Sequence, residues 1–324
     1  MTLLPPKDRL TICFAHPAYR LQERFAARGT GIASFEVRSR EELDRRIGEA
    51  DVLVVSGFWH NGLLARTERL RFVQSISAGT DQYDRAAFAA KGVRLASAAG
   101  VNARAVAEHA MALILALARR LPEARDNQAK RVWRGMIGDL SQREDELGGK
   151  TLLVVGLGRI GGHLARLAKA FDMRVIGTRR DPAAGPNGAD EVHDTAALKA
   201  LLPRADFVAL TCPLTPETEG LIDAEALSRM RRDAFLVNVA RGRCVIESAL
   251  IEALAAGRIA GAALDCTREE PLPADSPLWG LPNVLLTPHT AGETRRYEDG
   301  VLDILLDNLD RLWRGEATLR NQVV

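Results

Sequence analysis

The chain has 324 residues, with 44 lysines and arginines against 42 aspartates and glutamates and a formal net charge of +2. That length predicts two compact units, and the near balance of charge removes any general electrostatic case for nucleic acid or an anionic membrane as partner. Cys13, Cys212, Cys244 and Cys266 have no metal-ligand spacing, so no metal is expected and a reducing, cytoplasmic compartment is. The N-terminus, MTLLPPKDRL, lacks the long apolar core of a signal peptide. The most apolar stretch, 105–118, contains Glu108 and His109 and is too short to span a bilayer.

From Leu10 onward, short apolar runs alternate with amphipathic segments. Residues 10–14, 51–56, 71–76 and 93–96 read as strands, with helices over 21–28, 40–47 and 84–90 between them. This order predicts a parallel sheet with helical crossovers. Two loops follow strand ends, where open α/β sheets bind ligands. One is Ser77-Ala78-Gly79-Thr80; the other is Phe58-Trp59-His60, whose aromatics either plug the core or line a pocket for an apolar substituent.

Asn102 suits the N-cap of a long helix running to about residue 121, where Pro122 follows. The helix has a broad apolar face, and His109 within it reads as a packed core histidine rather than a ligand. Residues 122–149 are charged and weakly periodic, with Trp133 among arginines. They read as a polar arm lying on a partner subunit, or as a solvated loop.

The stretch 151–180 organises the rest. Leu152-Leu153-Val154-Val155 reads as a strand buried on both faces, and Gly156-Leu157-Gly158-Arg159-Ile160-Gly161 follows at once. Leu164, Leu167, Ala168 and Phe171 then recur at helical spacing, and Arg174-Val175-Ile176 opens a second strand. In that context GxGxxG is a strong dinucleotide signal. Gly156 permits a tight turn, Gly158 lets backbone approach a pyrophosphate, and Gly161 lets the helix pack close to the sheet. The helix N-terminus offers N–H groups and partial positive charge to phosphates.

Strands over 206–210, 234–238, 259–264 and 284–286, with a helix over 247–256, extend this second unit, of Rossmann type. A last amphipathic helix, 293–313, is expected to return to the first unit. The domains are then 1–100 with 293–324, and 101–292.

Three strand ends in the second unit carry polar side chains. They are Asn238-Val239-Ala240-Arg241-Gly242, Asp265-Cys266-Thr267-Arg268-Glu269-Glu270-Pro271 and Thr287-Pro288-His289-Thr290-Ala291-Gly292. Strands of a parallel sheet end on one edge, so these groups can converge near a nicotinamide.

With these motifs the chain resembles the D-isomer-specific 2-hydroxyacid dehydrogenases over nearly its whole length. The resemblance rests on GLGRIG (156–161), CPLT (212–215), NVARG (238–242), LD with EPLP (264–265, 270–273), TPHTAG (287–292) and VAEHAMALILAL (106–117), which matches the family's interdomain helix. It implies two α/β parallel-sheet domains, a flavodoxin-like substrate domain built from both chain ends and an inserted Rossmann-like cofactor domain, with homodimers formed through the cofactor domains. It implies that Arg241 holds the substrate carboxylate and 2-oxo group, that His289 is the acid/base at the C2 oxygen, and that Glu270, rather than its neighbour Glu269, hydrogen-bonds the imidazole. Backbone N–H groups of Ala78 and Gly79 receive the substrate carboxylate. The cofactor falls to Gly156, Gly158, Arg159, Ile160 and Gly161, to Thr178, Arg179 and Arg180, and to Cys212, Pro213, Val239, Ala240, Asp265 and Gly292.

Two departures stand out. Cys266-Thr267-Arg268 replaces a frequent Val-Phe-Glu, which alters a pocket wall. The second strand ends Gly177-Thr178-Arg179-Arg180 where an NAD-dependent member usually has aspartate; two arginines there favour NADP(H), and Asp181 keeps NAD(H) open. The expected activity is NADPH-dependent reduction of a small 2-oxoacid, glyoxylate or hydroxypyruvate, to the D-2-hydroxyacid. The alternatives are a non-enzymatic nucleotide-sensing corepressor and a phosphite dehydrogenase-like enzyme. Formate dehydrogenases carry glutamine where Glu270 stands.

Overall fold

The computed structural model describes residues 4–324, apart from the side chain of Ser141. The first three residues of the N-terminal stretch discussed above lie outside it. The chain divides into two compact units, one running to Asn102 and resuming at Thr294–Val324, the other Ala103–Glu293.

The first unit holds a parallel sheet of β1 (Thr11–Ala15), β2 (Ala33–Val37), β3 (Val52–Val55), β4 (Phe72–Ser75) and β5 (Arg94–Ala96), in the order β2-β1-β3-β4-β5. This is the flavodoxin-like order. Alternate residues serve opposite faces, as strand geometry requires. Ile12, Phe14, Val52, Val54 and Phe72 pack with Tyr297, Val301, Leu305 and Leu309 of the Tyr297–Trp313 helix. Cys13, Ala15, Leu53, Val55 and Val73 pack with Leu43 and Phe88. The buried Asn308 amide ties the C-terminal segment down: its Nδ2 donates to Gln74 Oε1 (3.2 Å), and its Oδ1 accepts from the Arg320 N–H (2.7 Å).

The second unit holds a seven-stranded parallel sheet. Its strands are β6 (Thr151–Val155), β7 (Arg174–Thr178), β8 (Glu191–His193), β9 (Phe207–Leu210), β10 (Phe235–Asn238), β11 (Gly261–Leu264) and β12 (Val284–Leu286). The order β12-β11-β10-β9-β6-β7-β8 winds outward both ways from β6, the doubly wound pattern with its switch point between β6 and β9. Leu152, Val154, Val175, Ala209 and Val237 face the helices Ala103–Ala118 and Arg159–Ala170. Leu153, Val155, Ile176, Val208 and Leu236 face the other way, onto Leu227, Leu250 and Leu254.

Four features depart from the sequence expectations. β2 and β8 were not anticipated. Both are sheet-edge strands without a fully buried face, and edge strands carry charge that blurs the apolar pattern. The long helix ends at Ala118 rather than 121, and Arg120 takes a left-handed φ of 50°. Pro122 then sits in the first turn of a new helix, Leu121–Ala129, where its missing N–H costs nothing. Of the two roles open to Trp59, the core plug is the one the fold shows: it is 6 % exposed and packs against Tyr83 and Phe88 at ring distances of 5.2 and 5.0 Å. Among the described residues no helix is long and apolar enough to cross a membrane, and no cluster of side chains has the makings of a metal site.

Candidate active site

At the switch point the chain leaves β6 through Gly156, which adopts a φ of +102°. A Cβ on Gly156 would lie 2.6 Å from the Cα of Cys212, which follows β9. A Cβ on Gly161 would lie 2.5 Å from the Gly156 carbonyl oxygen, so this glycine lets the Arg159–Ala170 helix close onto the turn. At Gly158 a Cβ would meet nothing within 4 Å. That glycine faces open space, as an approach to phosphate needs. Asn187 supports the turn from outside, its Nδ2 donating to the Gly158 carbonyl at 2.8 Å. No sequence signal singled it out.

Beside this turn lies a cavity of about 980 Å³, bordered by Gly156, Gly158, Thr178, Arg179, Arg180, Asp181, Cys212 and Pro213. A dinucleotide fits these residues: glycines at the turn, the helix N-cap Gly158 with open space where a Cβ would be, and cations at one rim. Arg179 is half-buried, and its guanidinium donates to the Gly185 carbonyl at 3.0 Å; Arg180 is exposed. One Asp181 oxygen is engaged by the Ala183 N–H at 3.0 Å. Thr178 borders the cavity, but its Oγ1 is buried without a hydrogen-bond partner. Lys199 and Thr218, which the sequence did not mark, also border it. Arg159, Ile160, Val239, Ala240, Asp265 and Gly292 are not among the residues that border it.

The three polar strand ends meet on one edge because β10, β11 and β12 pair in parallel, with Asn238 opposite Leu264 and Leu264 opposite Leu286. Each loop is fixed by its own side chains. The Asn238 amide spans its loop, accepting from the Ala240 N–H (3.0 Å) and donating to the Arg241 carbonyl (3.0 Å). Asp265, 2 % exposed, accepts at Oδ1 from Thr287 Oγ1 (2.7 Å), the Thr290 N–H (3.0 Å) and the Ala291 N–H (3.3 Å). Glu270 accepts at Oε1 from the Thr267 N–H (3.1 Å), and its Oε2 lies 2.7 Å from His289 Nδ1.

The pair therefore is Glu270 with His289. Both side chains keep contact with solvent, at 39 and 44 % exposure. The Glu270 carboxylate on Nδ1 raises the His289 pKa above its ordinary value; burial and the Arg241 charge oppose this and lose. Burial pushes Glu270 up, but the His289 hydrogen bond and charge, the Thr267 N–H and Arg241 together carry it below the usual carboxylate range. With Nδ1 held by a carboxylate, Nε2 is the nitrogen left to face a ligand. In the substituted segment, Cys266 is buried with its thiol 3.8 Å from the Asn238 carbonyl oxygen.

In the first unit, Ala78 and Gly79 follow β4 and are half-buried, and their N–H groups donate to no partner among the described residues. Two adjacent backbone N–H groups without such a partner are available to an anion.

Residues 111–291, more than half of the chain, match the family of the D-isomer specific 2-hydroxyacid dehydrogenase, NAD binding domain. D-3-phosphoglycerate dehydrogenase of Methanocaldococcus jannaschii is 38 % identical over 286 residues, covering 86 % of this chain and 52 % of that protein. The chain thus spans about half the length of that relative. Glyoxylate/hydroxypyruvate reductase B of Yersinia enterocolitica is 36 % identical over 307 residues, 92 % of this chain and 91 % of that protein. Among solved structures, an NADPH-dependent glyoxylate/hydroxypyruvate reductase of Sinorhizobium meliloti, in complex with NADP and malonate, is similar with a TM-score of 0.82. It shares 28 % identity, over 98 % of this chain and 97 % of that one. The chain belongs to the D-isomer specific 2-hydroxyacid dehydrogenase family.

The loops of Arg241 and Glu270 touch at Gly242, where a Cβ would fall 1.9 Å from the Thr267 carbonyl oxygen. Neither backbone can yield alone, so Gly242→Ala is expected to move both loops. Thermal unfolding and turnover should both suffer; a variant matching the parent in both would mean the loops are not so close.

Proposed function

We propose that this protein is a reductase of small 2-oxoacids that takes its hydride from NADPH and yields the D-2-hydroxyacid. The observation that carries the reading is the 2.7 Å His289–Glu270 contact on the sheet edge that also bears Arg241. When bound, the nicotinamide supplies the hydride that reaches substrate C2. His289, with Nδ1 held by Glu270, presents Nε2–H to the C2 oxygen and gives it a proton as charge develops there. The Arg241 guanidinium, a planar fork, holds the carboxylate and 2-oxo group. In the first unit, the Ala78 and Gly79 N–H groups suit a carboxylate. Glyoxylate and hydroxypyruvate are the favoured substrates, since the Yersinia and Sinorhizobium relatives bear those names.

NADPH is preferred because Arg179 and Arg180 border the cavity while one Asp181 oxygen is already engaged by its own turn. A hydrogen bond to a charged group is worth roughly 1.5–3 kcal/mol, about ten- to a hundredfold in affinity. The direct test is NADPH and NADH oxidation with a panel of 2-oxoacids. NADPH is expected to win by about that factor, and Arg179→Asp to invert the order. Equal kinetics with both cofactors would remove the preference, and tight NADPH binding with no turnover on any acid would favour a sensor.

Reduction requires imidazolium, so its rate falls as pH rises through the His289 pKa. Glu270→Gln keeps the shape but removes the charge that raises this pKa, so the falling limb of the pH–rate profile is expected at lower pH than in the parent. A limb that stays in place would show that Glu270 does not tune His289.

We also propose a two-fold dimer that covers the segment after the Ala103–Ala118 helix. Leu121, Val132, Trp133, Met136 and Leu140 are all more than half exposed there, Trp133 to 98 %. So much apolar surface in one short stretch is unusual on a monomer. Light scattering should give twice the chain mass at micromolar concentration, and Trp133→Glu should lower it. A monomeric parent would overturn this assembly.

A further inference from the structure

A histidine with no part in the proposed reaction reaches the loop of His289. His109, on the Ala103–Ala118 helix, reads from sequence as a packed core histidine. In the fold it is a hydrogen-bonding one: its Nε2 lies 3.0 Å from Thr287 Oγ1 and 3.5 Å from Asp265 Oδ1.

Counting protons assigns the directions. Asp265 Oδ1 accepts from the Thr290 and Ala291 N–H groups and is the acceptor for the Thr287 hydroxyl as well. Thr287 has one hydroxyl proton and spends it on that oxygen at 2.7 Å. Its oxygen can then only accept from His109, so Nε2 carries the hydrogen. The chain of donation runs His109 to Thr287 to Asp265.

What this chain holds is the loop under His289. His289 has a φ of +55°, a left-handed conformation uncommon for a residue with a Cβ and kept only where its surroundings over-determine it. The loop is pinned on both sides. Before His289, the Thr287 N–H donates to the Leu264 carbonyl at 3.0 Å; after it, Thr290 and Ala291 donate to Asp265. Within it, the His289 N–H donates to the Thr287 carbonyl at 3.0 Å. Among the described residues, His109 is the one contributor to this network from outside the strand ends.

We infer that His109 is a positioning residue, whose Nε2–H holds Thr287 on the Asp265 carboxylate and thereby fixes the loop that carries His289. The inference rests on the proposed function for its consequence in turnover, but the geometry it asserts can be read without substrate.

The test follows the imidazole signals of the six histidines by NMR in the intact protein during a pH titration, beside the turnover number. The groups that act on His289 are Glu270, Arg241 and Asp265, and only their placement is at issue. His109→Leu removes the donor while filling similar space. It is expected to lower the His289 pKa, because a loosened loop weakens the Glu270 contact, and to reduce the turnover number about tenfold, on the order of one hydrogen bond. His109→Gln, whose amide reaches a position close to that of Nε2, should recover most of both. Thr287→Val leaves His109 in place and should repeat the His109→Leu result, which covers the case in which His109→Leu does not fold.

An unmoved His289 titration in His109→Leu, or in Thr287→Val, overturns the inference whatever turnover does. So does a His109→Gln protein as impaired as His109→Leu, since packing rather than donation would then be the cause. If the parent reduces no 2-oxoacid yet the titrations shift as expected, the positioning role stands and the proposed function falls.

Discussion

The second unit depends on one close approach, Gly156 over the backbone of Cys212. With a Cβ only 2.6 Å from the Cys212 Cα, no other residue could turn out of β6 there. The reason is topological. Neighbouring strands β6 and β9 lead to crossovers on opposite sides, and the chain must bend sharply where they part. Once Gly156 makes that bend, Gly161 lets the following helix seat against its carbonyl, and the helix N-terminus is aimed at the cavity. Cradle and core packing therefore come from the same two glycines.

A second constraint is electrostatic and local to the far end of the same edge. Arg241 and Glu270 act on His289 in opposite senses, and the carboxylate prevails because it is hydrogen-bonded to Nδ1. Neither a lone histidine nor a histidine beside an arginine alone would hold its proton as well. The Asp265 carboxylate belongs to the same arrangement, but as an organiser. It accepts from two loop N–H groups and from Thr287, and so sets backbone conformation.

Much of this was legible in the chain. Leu152 to Val155 and the other core strands are buried on both faces, and continuous apolar runs reveal such strands directly. The glycine turn could be assigned position by position because each glycine answers a separate steric demand. Edge strands β2 and β8 were hidden because a half-solvated strand tolerates glutamate and histidine, and its alternation fades. Pro122 misled for a different reason. The same missing N–H that ends one helix is harmless in the first turn of the next, and only the neighbouring left-handed Arg120 distinguishes the two.

Trp59 and His109 mark the boundary between what each level decided. By itself the sequence determined the class of fold, the dinucleotide turn and the identity of the polar groups at three strand ends, since periodicity and local steric need are written in consecutive residues. Only the tertiary structure decided that Trp59 fills a core, and that His109 reaches Thr287 across 178 positions of chain. Those are contacts between side chains brought together by sheet register and helix packing, and no local pattern in the chain encodes the partner.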